Sequence, residues 1–374
     1  RANAALAGTV PRHACVVTAA ILDAWFVVMT VLTLGNFDGV HLGHRAIIAA
    51  ARRLADARGA VVRVVTFDPF PAAVLRGEGG PPRLLPTAER VTRLREAGAD
   101  EVVVVEPSRE LLGTEPEPFI ERLVREHGAV AMVEGDNFRF GRERRGDVAM
   151  LRRLGAELGF AVEIVPPRRL SLTSPAEARV SSTLIRNLVG HGRVFDAGRA
   201  LGRGFSLTAP VARGEQRGRT LGIPTANLDA EALARFIVPA DGVYAGVAEV
   251  LPPGQEVTHQ TGEPRDTGQS TGTAADAPTR YPAAISVGIK PTFGVRTLTV
   301  EAHLLGYTPE PGEALYGRVL RLSFARWLRD QYAFPGPGPL REQLQRDVGE
   351  TRRLHDAGWL DTVPGSAGGW SAAG

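Results

Sequence analysis

Apolar runs alternate with helix-period segments through the first half of the 374-residue chain. Short runs rich in valine and isoleucine are each followed by a stretch in which apolar residues recur every three or four positions. This alternation predicts an α/β domain whose parallel sheet carries helices on both faces. The predicted strands are 31–34, 61–67, 102–105, 130–133 and 161–165, and the predicted helices are 42–58, 87–97, 116–127, 146–158 and 182–189.

The periodicity changes after Gly202 to Gly204, which we interpret as a linker between two domains, 31–200 and 205–355. Beyond the linker, short apolar runs follow one another without a long helix between them, a pattern typical of an antiparallel β-barrel. Helical spacing from Leu340 to Leu354 then predicts a C-terminal helix. The predicted barrel strands are 205–211, 243–250, 283–289, 297–305 and 318–324.

Three segments lie outside these elements. Residues 1–30 form an unassigned N-terminal extension, and because the sequence begins at Arg1 its place in the mature protein stays open. Its apolar run contains Asp23 and merges into the first strand, so a membrane span, which needs about 20 apolar residues, is the minor alternative. Residues 252–280 and 363–374 contain almost nothing that could build a core, which predicts a disordered insertion and a disordered tail.

Composition narrows the classes of function. The formal net charge of +3 is too small to indicate nucleic-acid binding. A single cysteine, Cys15, excludes an intramolecular disulfide framework and favours a cytoplasmic location. Lys290 is the only lysine, which excludes a Walker-type phosphate loop. Any ATP chemistry must therefore use histidine, arginine, hydroxyl groups, backbone amides and a metal ion.

The clearest chemical signal lies between the first predicted strand and the first predicted helix. Residues 34–45 read Leu-Gly-Asn-Phe-Asp-Gly-Val-His-Leu-Gly-His-Arg. His41 and His44 are three residues apart in the first helical turn, so their side chains face the same way. Free backbone N–H groups and the positive end of the helix dipole favour anions there. The arrangement predicts a site for nucleotide phosphates, and an ordinary surface helix is the alternative.

Polar residues at other element ends support the same interpretation. Ser182 and Thr183 begin a predicted helix, with Arg186 one turn later, and hydroxyl and guanidinium groups there suit phosphate oxygens. A plain helix cap is the alternative. Asp68 and Asn137 follow the second and fourth predicted strands. Ligands bind at the carboxyl ends of such strands, so we expect these motifs at one edge of the sheet.

Residues 34–45 resemble the His-x-Gly-His signature of the nucleotidyltransferase superfamily, and the preceding Gly-Asn-Phe-Asp-Gly-Val narrows the match to the prokaryotic bifunctional riboflavin kinase/FMN adenylyltransferase family. Residues 136–141 and 181–186 resemble further motifs of that family. The resemblance implies a Rossmann-like domain in which the FMN phosphate attacks the α-phosphorus of ATP, giving FAD and pyrophosphate. It implies catalytic roles for His41 and His44, a flavin contact from Asp68, and ATP contacts from Gly35, Phe37, Asp38, His41, His44, Asn137, Ser182, Thr183 and Arg186.

Residues 218–227, Gly-Arg-Thr-Leu-Gly-Ile-Pro-Thr-Ala-Asn, resemble the riboflavin kinase signature. The resemblance implies ATP binding by Gly218, Arg219, Thr225 and Asn227, and the neutral oxygens of the last two suit Mg²⁺.

Strand alternation places Glu301 and His303 on one face. The same resemblance makes Glu301 the general base for the riboflavin 5′-hydroxyl and Arg329 a flavin contact. The chain departs from the family pattern at Phe70, Lys290 and Gln331, and their effects stay open.

The function implied is ATP-dependent conversion of riboflavin to FMN and of FMN to FAD. ATP is a substrate, Mg²⁺ a cofactor, and FMN and FAD are products, FMN being also a substrate. We expect no nucleic-acid or membrane partner, and the oligomeric state stays open. Three alternatives remain: retention of only one activity, a non-catalytic flavin-binding regulator, and a nucleotidyltransferase for another phosphorylated acceptor.

Overall fold

A computed structural model of the chain divides into two compact units, which are described one at a time. The first consists of the described residues of Arg1–Asn36, Ile47–Leu75 and Arg93–Val165, and the second of those of Phe37–Ala46, Arg76–Thr92 and Pro166–Gly374. The predictions for the N-terminal extension, the insertion and the tail lie almost wholly outside the described residues, as do Gly218 and Arg219. The structure describes residues 28–77, 79–173, 177–213, 223–252, 278–292, 295–308 and 315–360.

The first unit is built on a five-stranded sheet in the order β3-β2-β1-β4-β5, and all neighbouring strands run parallel. β1 is buried along its whole length, as expected of a central strand covered on both faces. The chain order reverses between β1 and β4, which marks a topological switch point. The strands are β1 Thr30–Leu34, β2 Val61–Phe67, β3 Glu101–Val105, β4 Ala129–Gly135 and β5 Ala161–Val165.

Two helices of the N-terminal half show capping residues that the sequence supplies. The Asp147 carboxylate accepts hydrogen bonds from the first turn of α6, at 3.0 Å from Ala149 N and 2.9 Å from Met150 N. Gly128 ends α5 in the left-handed conformation, which glycine adopts without steric cost. The helices are α1 Leu42–Asp56, α2 Pro71–Arg76, α3 Thr87–Glu96, α4 Arg109–Leu112, α5 Pro116–His127 and α6 Val148–Leu158.

The second unit contains a closed barrel in the order β10-β11-β12-β9-β8-β13, in which the neighbouring strands are antiparallel. Phe205, Tyr244 and Phe324 are buried in its core. A short ribbon and two helices precede the barrel, and one short helix follows β9. The elements are β6 Arg169–Ser171, β7 Glu177–Arg179, α7 Ser182–Gly190, α8 Val194–Leu201, β8 Phe205–Ala212, β9 Ala226–Leu228, α9 Ala230–Leu233, β10 Gly242–Val250, β11 Thr279–Thr292, β12 Val295–Leu304 and β13 Val319–Arg329.

The C-terminal helix α10, Pro337–Asp356, packs on the barrel through Leu354, which meets Ala245 and Val247 of β10. Gly246 lies between these two residues, where the ladder to β13 is irregular. A side chain at Gly246 would collide with the Ser323 carbonyl oxygen, so the close approach of the two strands requires glycine.

The predicted fold class is confirmed: a parallel α/β sheet is followed by an antiparallel barrel and a C-terminal helix. The barrel strand β9 was not predicted, because three residues are too few to show a period of two. Thr279 and Arg280, predicted as part of the insertion, belong to β11. Among the described residues, no helix combines the length and the apolar character needed to cross a bilayer.

Candidate functional site

The loop that leads into α1 adopts an unusual backbone. Phe37 and Val40 have φ of 48° and 40°, a region that residues with a side chain rarely adopt. The Val40 N–H donates to the Phe37 carbonyl at 3.1 Å, which closes a tight turn, and Val40 is 1% exposed. Strain of this kind persists only where the surroundings enforce it, and it concentrates at functional sites.

The two predicted histidines lie together at the start of α1. Their rings stack with centroids 3.5 Å apart, and the Phe37 ring meets His44 edge-on at 5.1 Å. The His44 backbone N–H donates to Nδ1 of His41 at 3.3 Å. We therefore assign the proton of neutral His41 to Nε2, which can donate to an incoming oxygen. A Cβ on Gly43 would lie 3.1 Å from the His41 ring, so glycine keeps the ring in place.

Both histidines are held neutral. Burial, together with the nearby Arg203 guanidinium, lowers the pKa of His41 to about 3. Burial is also the main reason that the pKa of His44 lies well below its ordinary value, with His41, Arg90 and Arg203 adding to the effect. Nδ1 of His44 is buried and makes no hydrogen bond to any part of the chain that the structure describes. The pair can thus donate hydrogen bonds to phosphate oxygens without carrying charge.

Asp38 connects this loop to α7. Its carboxylate forms an ion pair with Arg186 and accepts hydrogen bonds from the Leu84 N–H at 3.0 and 3.2 Å. The Ser182 hydroxyl donates to the Asp38 carbonyl at 2.8 Å. Burial raises the pKa of Asp38, against the opposing effects of Arg186 and the Leu84 N–H. The structure thus brings together three predicted site residues, and two of them, Ser182 and Arg186, bind Asp38 directly.

Two arginines that belong to no sequence motif also act on the loop and on the histidines at the start of α1. Arg203 donates to the carbonyl of Gly39 at 2.7 Å and to that of Val40 at 3.4 Å, so it holds the strained loop. Arg90, 1% exposed, acts electrostatically on both Asp38 and His44. Neither could be found by pattern, because an isolated arginine carries no spacing signal. Thr183, the remaining predicted residue of α7, is exposed.

Three further predicted residues of the N-terminal half, Gly35, Asp68 and Asn137, belong to the first unit and follow its strands. The Gly35 N–H donates to the Val65 carbonyl at 3.0 Å, which extends β1 by one residue. Asn137 is exposed in the turn after β4, where the Phe138 N–H donates to the Gly135 carbonyl at 3.0 Å. Asp68 follows β2, and Phe70, the departure in that turn, is buried.

A second cluster lies on β9 and β12 of the barrel. Glu301 is paired with Asn227 across the two strands, and the Thr225 hydroxyl lies 3.4 Å from Glu301 Oε2. Nδ1 of His303 donates to the Pro224 carbonyl at 2.8 Å. Val300 and Ala302 alternate with these residues and are buried in the barrel core, so Glu301 and His303 share the opposite face, as predicted.

This cluster fits a magnesium ion in the chemistry of its donors. The Thr225 hydroxyl meets the Glu301 carboxylate, and Asn227 is paired with Glu301 across the two strands, so a hydroxyl, an amide and a carboxylate belong to one face of the sheet. Mg²⁺ takes hard oxygen ligands from few protein groups and keeps several waters for itself and the substrate phosphates. No group of three or more His, Cys, Asp and Glu side chains suited to a metal occurs among the described residues.

The predicted flavin contact Arg329 is bound to the C-terminal helix. Its guanidinium donates to both carboxylate oxygens of Asp347, at 3.0 Å from Nε and 2.8 Å from Nη2. Gln331 donates to the Ser286 hydroxyl at 2.7 Å and to the Val287 carbonyl at 3.0 Å, so this departure ties the end of β13 to β11. The flavin contact of Arg329 stays a prediction.

Comparisons with known proteins agree with the motifs. Residues 27–184 match the family model for FAD synthetase, and residues 201–355 match that for riboflavin kinase. The bifunctional riboflavin kinase/FMN adenylyltransferase of Escherichia coli K12 is 31% identical over 85% of this chain and 90% of its own length. The corresponding protein of Pseudomonas fluorescens is 32% identical over 87% of this chain and 92% of its length.

A solved structure extends the similarity to the fold of both units. The crystal structure of a macrolide-efflux protein from Streptococcus pneumoniae matches this chain with a TM-score of 0.71 and 28% identity, covering 88% of this chain and 96% of that one. Identity above 30% over most of both chains, with both family models in the expected order, confirms the resemblance that the motifs indicated. The chain belongs to the bifunctional riboflavin kinase/FMN adenylyltransferase family.

Proposed function

We propose that this chain makes FAD in two ATP-dependent steps. In the first, the 5′-hydroxyl oxygen of riboflavin attacks the γ-phosphorus of ATP, the hydroxyl proton passes to a base, and ADP leaves. In the second, an FMN phosphate oxygen attacks the α-phosphorus of another ATP, and pyrophosphate leaves. The observation that carries the proposal is the contact of Thr225 with Glu301, which is paired with Asn227 on the neighbouring strand, because an ATP-dependent kinase needs hard oxygen donors beside a base.

Glu301 is the base that we favour for the kinase step. Its carboxylate contacts the Thr225 hydroxyl at 3.4 Å, so a proton acceptor stands beside the donors suited to Mg²⁺. A bound Mg²⁺ would neutralise charge on the ATP phosphates. His303 is the rival base: its Nδ1 is occupied by the Pro224 carbonyl, which leaves Nε2 as the acceptor of the neutral ring.

For the adenylylation step the support comes from the loop and the start of α1. Phosphoryl and nucleotidyl transfer need positioning and charge stabilisation rather than a protein nucleophile. Neutral His41 offers an Nε2–H donor, and the first turn of α1 offers free backbone N–H groups. Asp38 positions the loop and α7 by binding Arg186 and Ser182, so its proposed contribution to ATP binding is indirect.

The proposal also covers the location and the partners of the protein. A cytoplasmic location is supported by the single cysteine, Cys15, and the small-molecule substrates proposed here. The net charge of +3 gives no support for a nucleic-acid partner. Retention of only one of the two activities is the second candidate function.

Incubation with Mg²⁺ and ATP, with riboflavin in one series and FMN in the other, tests the proposal by chromatography of FMN and FAD. The unchanged chain should form FMN in the first series and FAD in both. Glu301→Gln should strongly slow the first step alone, and His41→Ala should strongly slow the second step alone. Glu143→Gln, on a side chain that is 69% exposed, is the matched surface control. If one product never forms, the chain has one activity, and the absence of both products would refute the proposal.

A further inference from the structure

Glu134 is a buried acid that neither proposed reaction uses. It lies in β4, is 2% exposed, and forms no ion pair with any described residue. Its Oε1 accepts a hydrogen bond from the Leu34 N–H at 2.7 Å. Burial raises the pKa of Glu134 well above its ordinary value, and the hydrogen bond from the Leu34 N–H only partly opposes this. Burial of a carboxyl group that has no cationic partner costs folding free energy, so the role of this side chain calls for an explanation.

The bond to Leu34 replaces a bond of the sheet. β1 and β4 are paired at Thr30, Val31 and Leu32, and within the described residues this ladder goes no further. On the other side, β1 stays paired with β2 through Leu34, and the next N–H, that of Gly35, donates to Val65 of β2. Successive N–H groups of a strand point to opposite sides, so the Leu34 N–H points toward β4. There it finds the Glu134 carboxyl in place of a backbone carbonyl.

The pairing of β1 with β4 therefore ends beside the topological switch point of the sheet. The order of the sheet reverses between β1 and β4, and ligands of open α/β sheets bind in the crevice beyond the carboxyl ends at such a point. Glu134 is the last residue but one of β4, and the turn with Asp136 and Asn137 follows it. A side chain longer than a direct backbone bond sets the spacing of the two strand ends.

We propose that Glu134 is a positioning residue for adenylylation: by holding the Leu34 amide with its side chain, it keeps the ends of β1 and β4 apart and fixes the turn after β4 that borders the nucleotide crevice. The inference rests on the proposed adenylyltransferase activity. Its structural part, the bond between the Glu134 carboxyl and the Leu34 amide, can be measured without that activity.

Two variants of the full chain separate the bond from the charge. Glu134→Gln retains an acceptor oxygen at nearly the same place, and Glu134→Leu has a similar volume but no acceptor. Met132→Leu is the matched control, because Met132 lies two residues away on the same face of β4 and is equally buried. Each variant is assayed for adenylylation with varied ATP and FMN, for riboflavin phosphorylation, and for hydrogen exchange at the Leu34 amide.

We expect Glu134→Leu to lower kcat/KM for adenylylation by about 10- to 100-fold, since displacement of a substrate-bordering turn by about 1 Å costs up to that much. Exchange at the Leu34 amide should accelerate, and riboflavin phosphorylation should stay within about twofold, as a sign that the second unit is unaffected. Unchanged exchange at the Val64 amide of β2 should show that the sheet of the first unit is still folded. Glu134→Gln and Met132→Leu should behave like the parent chain in all three measurements.

Normal adenylylation by Glu134→Leu, or equal loss of both activities, would overturn the inference. So would unchanged exchange of the Leu34 amide in that variant. Absence of adenylylation in the parent chain would instead refute the proposed function, and the exchange measurement would still decide the bond.

Discussion

The ion pair between Arg329 and Asp347 joins the last barrel strand to the C-terminal helix. The side chains are 16% and 5% exposed, and two oxygens of the carboxylate meet two nitrogens of the guanidinium. Gln343 also donates to this carboxylate, at 2.9 Å. Asp347→Ala would leave the Arg329 guanidinium mostly buried without its bidentate partner. We therefore expect the helix to lose its main polar attachment to the barrel.

The size of the effect follows from the burial. Removal of one partner from a buried ion pair costs about 3–5 kcal/mol, because the remaining charge stays desolvated. Arg329 keeps some contact with water, so the lower end applies, about 3 kcal/mol. For a folding unit of 150–250 residues, each kcal/mol lowers Tm by roughly 2–4 °C, which predicts a fall of about 6–12 °C.

Scanning calorimetry of Asp347→Ala, Arg329→Met and a variant with both Arg329→Met and Asp347→Leu measures this cost. The double variant should recover most of the lost stability, because replacement of both charges by apolar groups leaves no orphaned charge. A Tm for Asp347→Ala within about 2 °C of the parent, or a double variant no better than the single ones, would refute the reasoning. The riboflavin KM of a stable double variant would also test the predicted flavin contact of Arg329.

Three further predictions concern the reactions and the pH dependence of stability. His41→Ala should lower FAD formation from FMN by about 10²–10³-fold, with FMN formation unchanged, in the two separate assays. Glu301→Gln should lower FMN formation by about 10²–10⁴-fold, and if His303→Ala does so instead, the histidine is the base. Glu134 has a raised pKa in the folded chain, so its contribution is complete below its ordinary pKa of 4.5 and is lost as pH rises toward the folded value. Urea unfolding should therefore show that the free energy of unfolding of Glu134→Gln rises relative to that of the parent, by at most about 1.4 kcal/mol per pH unit, between pH 4.5 and the raised pKa of the folded chain. A difference that narrows with rising pH would contradict this.

Local periodicity determined most of the architecture. The predicted helix 116–127 agrees with α5 at both ends, because Pro116 opens it and Gly128 closes it. The predicted strand 61–67 agrees with β2, a run of β-branched residues buried on both faces. The location of Glu301 and His303 on the same face of one strand was predicted from alternation alone. These features depend on neighbours within a few residues, and a sequence displays them directly.

Short elements were not predicted from the sequence, because they are too short to show a hydrophobic period. β9 has three residues and α9 has four, which is too few to show an apolar repeat. β9 nevertheless contains Asn227, which is paired with Glu301 of β12. β9 forms because it pairs with β8 and β12 in the closed barrel. The predicted helix 340–354 was three residues short at its start and two at its end. Its start was missed because the first turn of α10 faces solvent and carries no apolar signal.

Only the tertiary structure decided which charged groups meet. Arg186 lies 148 residues from Asp38 in the chain, and Glu134 lies 100 residues from Leu34. From the sequence, Arg186 was assigned to a phosphate, and Glu134, which follows the predicted strand 130–133, was given no role. The physical reason is that burial and partners set the energy of a charged group, and both depend on contacts between distant segments. Residue types and spacing therefore indicated the chemistry of this protein, whereas the fold determined the protonation and partners of each group.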